Sequence, residues 1–215
     1  MNEINEEARR NITAHINTRI FKEEIDRLSQ GKSAFSRRIG VRLTRGWLAE
    51  FIGYISDECW TRSTNIMRNN PDMMAMVFID EDTKELLGGT LLIPNRVNKR
   101  PVLIDRGLSP RTEITSELNI DDFMDKVTAY EEQIVVALGR EQILVPLRGL
   151  QAGLGTNNPD IIQYYERNLS GMKPVTLDMP NTFNDHDITT GCCVVLRKIS
   201  PARKMLGAVS RRAVS

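Results

Sequence analysis

The chain has 215 residues, 40% of them hydrophobic and 27% charged, which suits a soluble globular protein of one large domain, or of one domain with extensions. Its 29 basic and 28 acidic residues nearly cancel, so whole-molecule charge selects no partner. No apolar run approaches the roughly 20 residues that a membrane-spanning helix needs, and three cysteines (Cys59, Cys192, Cys193) with no CxxC spacing exclude a disulfide framework or a zinc ribbon.

The N-terminus, MNEINEEARRNI, is charged and has no hydrophobic signal region. With the unpaired cysteines it points to a cytoplasmic protein, in host cytoplasm or a virion if the source is viral. Residues 3–29 predict a polar helix, because Ile4, Ala8, Ile12, Ile16, Ile20 and Leu28 recur at helical spacing among charges. GKSAFSRRIG, at 31–40, reads as a linker bounded by glycines. A second helix is expected from Thr44 to about Asn69, with Trp47, Phe51, Tyr54, Ile55, Cys59 and Trp60 as its apolar stripe.

MMAMVFIDEDTKELLGGTLLI reads as a hairpin: apolar 73–79, the polar turn EDTKE, then apolar 86–93. The pair Gly88–Gly89 predicts a bulge or a close backbone approach. RPVLIDRG gives a strand at 101–105, and the polar GLSPRTEITSELN reads as loop. A long helix follows from Asn119 or Asp121 to about Gly139, burying Phe123, Val127, Tyr130 and Ile134. EQILVPL is a buried strand, and RGLQAGLGTNN a glycine-rich turn. Asn158 caps the next helix, and Pro159 suits its first turn. PVTLDM and GCCVVLRKI supply two closing strands. The order α, α, β-β-β, α, β, α, β-β implies an α+β or mixed α/β fold with one layered sheet.

This order and certain local residues resemble the GNAT superfamily of acyl-CoA-dependent N-acyltransferases over roughly residues 43–199. FIDEDTKELLGGTLL is similar to the family's first hairpin, with its acidic turn and following glycine. Asn158, Tyr165 and Glu166 fall at the family's spacing, an asparagine before a helix and a tyrosine seven residues on. The resemblance implies a GNAT-like twisted mixed sheet flanked by helices over 41–199, between an N-terminal helix and linker (1–40) and a basic tail (200–215). It implies acyl transfer from acyl-CoA, acetyl-CoA in the simplest case, to an amine. Tyr165 would be the general acid that protonates the departing thiolate. The cofactor would lie against Asn158, Leu103, Ile104, Arg106 and Arg111. The family's phosphate-binding glycine turn has no counterpart: GLSPRTEITSELNIDD has no glycine after Gly107 and carries Glu113, Glu117, Asp121 and Asp122. Side chains and negative charge there oppose a diphosphate.

Other chemistry is sparse. His186 between Asp185 and Asp187 has no companion ligand cluster, so no metal is expected. No nucleophile elbow or Walker loop is present. Residues 197–215 carry six basic residues and no acid, leaving 23 basic against 28 acidic residues on 1–196. Such a tail suits docking on other chains or on phosphates. Two further functions follow: a catalytically inactive domain of this fold used in assembly, in a virion for example, or a nucleic-acid-binding accessory protein. The expected partners are a second copy or a protein complex engaged through 1–40 and 197–215, with nucleic acid possible at the tail and no membrane.

Overall fold

A computed structural model describes residues 39–44, 73–146, 156–178, 182–183, 186–187 and 192–199. The expected helix at 3–29, nearly all of the one at 44–69, the glycine turn at 148–155 and the tail from 200 lie outside the described residues.

Strands β1 (Ile39–Thr44), β2 (Met74–Asp80), β3 (Leu86–Val97) and β4 (Arg100–Pro110) run as an antiparallel meander. Helices α1 (Thr112–Glu117) and α2 (Ile120–Ala137) then lead to β5 (Gln142–Pro146). Helix α3 (Pro159–Leu169), the two-residue β6 (Val175–Thr176), a ribbon of β7 (Thr182–Phe183) and β8 (His186–Asp187), and β9 (Cys192–Lys198) complete the described elements. Seven strands form one sheet in the order β1-β2-β3-β4-β5-β9-β6, and β4–β5 is its parallel pair.

Both faces of the sheet are buried. Alternate residues of a strand point to opposite faces, so Met76, Phe78, Leu92, Leu103 and Ile143 pack with Phe123, Val127, Ile134, Ile161 and Tyr165 of the helices. Ala75, Val77, Leu91, Ile93, Ile104 and Leu144 form a second cluster on the other face. That double burial explains why β2 reads as an uninterrupted apolar run.

Turn chemistry sets the registers. Asp80 Oδ1 accepts from the amides of Asp82 and Thr83, both at 2.9 Å, and Lys84 takes a φ of 64° to close the β2–β3 turn. At the β3–β4 turn, Asn98 and Lys99 both have positive φ, and their amides donate to the Asp178 carboxylate at 2.7 Å each. That pair of left-handed residues is the two-residue hairpin geometry that matches strand twist.

Three expectations are corrected. Residues 39–44 form a strand rather than a linker end; Ile39 and Val41 are buried, and the strand pairs with β2 through Thr44↔Ala75. The strand expected at 101–105 extends to Pro110, because a bulge at Gly107 (φ 84°) carries Gly-Leu-Ser-Pro onward along β3. The polar stretch after it contains α1, not loop alone. The span and buried face of α2, its Asn119 cap, and the β2–β3 hairpin agree with the sequence reading.

The close approach expected at Gly88–Gly89 is present. Gly88 has a φ of 122°, and a Cβ there would lie 2.3 Å from the Ser109 carbonyl oxygen and 2.8 Å from Pro110 Cα. Both obstacles are backbone, so β4 itself would have to move. Gly171, with φ 77°, has open space instead. Gly88→Ala should therefore cost roughly 3 kcal/mol or more, against about 1 kcal/mol for Gly171→Ala. Urea unfolding midpoints compare the two directly, and equal losses would contradict the register described.

Candidate functional site: the fork between β4 and β5

The parallel pairing of β4 and β5 consists of two residue pairs, Leu103↔Ile143 and Ile104↔Leu144. Beyond them β5 stays with β9, through Val145↔Val194 and Pro146↔Cys193, while β4 stays with β3 through Pro110. Two neighbouring strands thus separate into a fork with Ile104 at its vertex. Asp105, the next residue on β4, points to the face that α2 and α3 cover.

The fork is lined by polar groups of this chain. On its β4 side, the Leu108 carbonyl accepts from Thr156 Oγ1 at 2.5 Å, and the Pro110 carbonyl accepts from Asn158 Nδ2 at 3.0 Å. Thr156 Oγ1 also lies 3.3 Å from Ser109 Oγ and accepts from the Asn158 amide at 3.1 Å. Residues 156–158 are therefore latched along the part of β4 that β5 has left. Asn158 is 4% exposed and engaged at both ends of its amide. Its Oδ1 accepts from the amides of Asp160 and Ile161, at 3.0 and 3.2 Å, which caps α3. Its Nδ2 also donates to Thr115 Oγ1 at 3.1 Å.

From that anchor α3 runs back along β4, and its buried face carries Ile161, Tyr165 and Leu169 inward. Tyr165 is 2% exposed, and its hydroxyl donates to Asp105 Oδ2 at 3.5 Å, at the fork vertex. Tyr164 is half-buried at the edge, its ring 5.9 Å from the Arg167 guanidinium. The adjacent tyrosines thus have different surroundings, one at the vertex and one at the rim.

Two acids complete the vertex. Asp105 is 1% exposed, and its Oδ1 accepts from the Thr90 hydroxyl. Glu131 of α2 is fully buried beside it, with neither carboxyl oxygen meeting a donor. Burial raises the Asp105 pKa to about 6, opposed by the hydrogen bonds of Thr90 and Tyr165 and by Arg106. Burial, then the adjacent Asp105 charge, pushes Glu131 well above the usual carboxylate range. Tyr165 is held well above an ordinary phenol by burial and by the same two acids.

Of the residues the resemblance pointed to, Leu103 and Ile104 are fully buried at the vertex, and Asn158 and Tyr165 line the fork. Arg106 follows Asp105 on the strand and acts on it electrostatically. Arg111 lies apart from the vertex: its amide donates to the Leu87 carbonyl at 2.8 Å, and its guanidinium binds Glu85. Sequence reading missed Asp105, Glu131, Thr90 and Thr156. A signal for Glu131 existed, since it stands seven residues after Met124 and four before Val135, on the stripe that α2 buries.

The described residues do not fit a nucleotide diphosphate after β4. Arg111 leads straight into α1, and no glycine lies between Gly107 and Gly139. The start of α2 already holds Asp121 and Asp122, with Arg167 bound to Asp121. Carboxylates in the first turn occupy the positive end of that helix. Among the described residues no group of three His, Cys, Asp or Glu could hold a metal, and no helix is long and apolar enough to cross a membrane.

No protein-family model matches the chain, and no curated protein matches it. Among solved structures, the crystal structure of a Trypanosoma brucei acetyltransferase is similar over 69% of this chain and 99% of that one, at 13% identity and a TM-score of 0.39. Likeness at that level does not decide chemistry.

Two measurements test the site. Asn158→Ala removes a helix cap and leaves the Pro110 carbonyl without its amide, so it should cost roughly 2–3 kcal/mol in denaturant melts. The acids predict a pH dependence. The folded pKa of Asp105, about 6, exceeds its ordinary 3.8, so the folded chain binds this proton more tightly than the unfolded one. Its contribution is whole below pH 3.8 and is lost as pH rises through about 6; Glu131 shifts the same way. Unfolding free energy should therefore fall between those values, and Asp105→Asn should flatten the slope. A wild type that gains stability across that window would contradict the burial described.

Proposed function

We propose that this chain is an acyltransferase-type domain of the GNAT kind whose donor fork has become structural, and that it serves as an assembly component of a larger complex through its terminal extensions. One observation supports this most: the β4 carbonyls along the fork are already taken up by the chain's own side chains. Thr156 and Asn158 hold the Leu108 and Pro110 carbonyls, and Tyr165 lies against Asp105. An acyl-donor arm entering there would uncap α3 and strip two β4 carbonyls of their partners, each a cost of about 1–3 kcal/mol when the group stays buried. The extensions supply the rest of the reading. The sequence at 3–29, with apolar residues at helical spacing among charges, and an acid-free tail beside a mildly acidic body suit contacts with neighbouring chains, as in a virion or another large assembly.

A second reading is an active N-acyltransferase that moves an acyl group from acyl-CoA to an amine. It is favoured by the Tyr165 hydroxyl lying at the vertex of a real fork. In that reading Tyr165, protonated across the working pH range, is the hydrogen donor, and Arg106 is a cation acting on Asp105 at the vertex.

A ligand that binds only the folded state raises the melting temperature with concentration. Acetyl-CoA titrated to millimolar levels should leave the melting temperature unchanged; a rise that grows with the logarithm of concentration would select the enzyme. Deletion from Ser200 keeps every described strand, because β9 ends at Lys198 and the buried Ile199 donates its amide to the Glu141 carbonyl at 3.0 Å. That truncation should lower the mass of the assembled species in light scattering. An unchanged mass would count against assembly through the tail, and steeply salt-dependent binding of an oligonucleotide would make nucleic acid its partner instead.

A further inference from the structure

We propose that Glu131 and Asp105 share a single proton at the floor of the fork at neutral pH, and that losing it in alkaline solution is the event that opens the fork. The inventory of hydrogen bonds leads there. Asp105 is served on both oxygens, Oδ1 by Thr90 and Oδ2 by Tyr165. Glu131, on the opposing helix, is fully buried and meets no donor at either oxygen. An ionised carboxylate in that position costs several kcal/mol, and a second anion beside it costs more. One proton removes the difficulty: a neutral Glu131 becomes a donor, and Asp105 is its acceptor.

Among the described residues the surroundings offer little else to neutralise the pair. β3 contributes Thr90 and α3 contributes Tyr165, with Tyr164 behind it; both reach the pair as neutral hydroxyls. On β4 the nearest cation is Arg106, whose position next to Asp105 sends its side chain toward the other face of the strand. Along α2, Tyr130 and Glu132 flank Glu131, and Glu132 is paired with Arg197 of β9 at 3.2 Å. Burial and the two acids' mutual repulsion both favour retaining the proton. Once it is lost, two like charges on β4 and α2 repel in a dry site. The relief available is separation of the helical layer from the strand at the point where β4 has already left β5. The device is independent of whether the fork also takes a substrate.

Infrared spectroscopy and hydrogen exchange on the full chain, wild type and Glu131→Gln, test this. The glutamine amide can donate to Asp105 in place of the proton but cannot ionise. The wild type should show the carbonyl band of a protonated carboxylic acid at pH 7, absent from the variant. Exchange of the α3 amides, corrected for intrinsic base catalysis, should accelerate by up to about tenfold per unit of pH from about pH 6 until the pair's remaining proton is lost, level off beyond that point in the wild type, and stay flat over the same range in the variant. Absence of the band at pH 7, or equal acceleration in both proteins, would overturn the proposal. Should Glu131→Gln fail to fold, the carboxyl carbon resonance of wild-type Glu131 decides. A signal constant from about pH 5 to 8 supports a held proton, whereas ordinary titration near the glutamate reference of about 4.3 overturns it.

Discussion

Backbone carbonyls that lose a strand partner must find another, and that requirement shapes this molecule at the end of β4. The strand outruns its pairing with β5 after Ile104, yet it stays buried to Pro110 on the strength of its contacts with β3. The exposed side of such a strand would leave orphaned acceptors in a dry interior. Thr156 and Asn158 resolve this by donating to Leu108 and Pro110. Because Asn158 is also the cap of α3, satisfying β4 and starting the helix are one event, and the direction of α3 follows from it. Tyr165 reaches Asp105 because the helix is anchored at Pro110 and runs back toward the vertex.

The polar cluster beneath that helix trades stability for definition. Apolar residues at Asp105 and Glu131 would pack the same layer without charge burial, and replacing buried charged groups by well-packed apolar ones is often neutral or stabilising. Asp105 instead ties three elements to one strand position, through Thr90 of β3, Tyr165 of α3 and the neighbouring Glu131 of α2. A phenol and two acids at a fork vertex are chemically capable groups. In the proposed structural use of the fork, the latch at 156–158 and the acidic start of α2 hold them as an internal joint.

Much of this was legible where the determinants are local. Asn158-Pro159 announces a capped helix, the turn at EDTKE follows from Asp80 and a left-handed Lys84, and the spacing from Phe123 to Ile134 sets the buried face of α2. Non-local pairing was less legible. Ile39, Val41 and Leu43 do alternate, but Gly40 and Arg42 between them made the segment look like linker, and only its pairing with β2 makes it a strand. Gly107 and Pro110 read as loop residues because a bulge uses the same glycine that a turn would. Within the fork, tyrosine and asparagine were visible by their spacing. The acids were not: Asp105 closes an apolar run and Glu131 looks like one of many helical charges until tertiary packing brings them together.

The central claim is that the chain closes its own fork. A crystal structure of the full chain grown with millimolar acetyl-CoA tests it most directly. The account predicts Asn158 on the Pro110 carbonyl, Thr156 on the Leu108 carbonyl and Tyr165 on Asp105, with no density for ligand between β4 and β5. A pantetheine arm lying between the strands, with Asn158 turned away from Pro110 to meet it, would contradict the account.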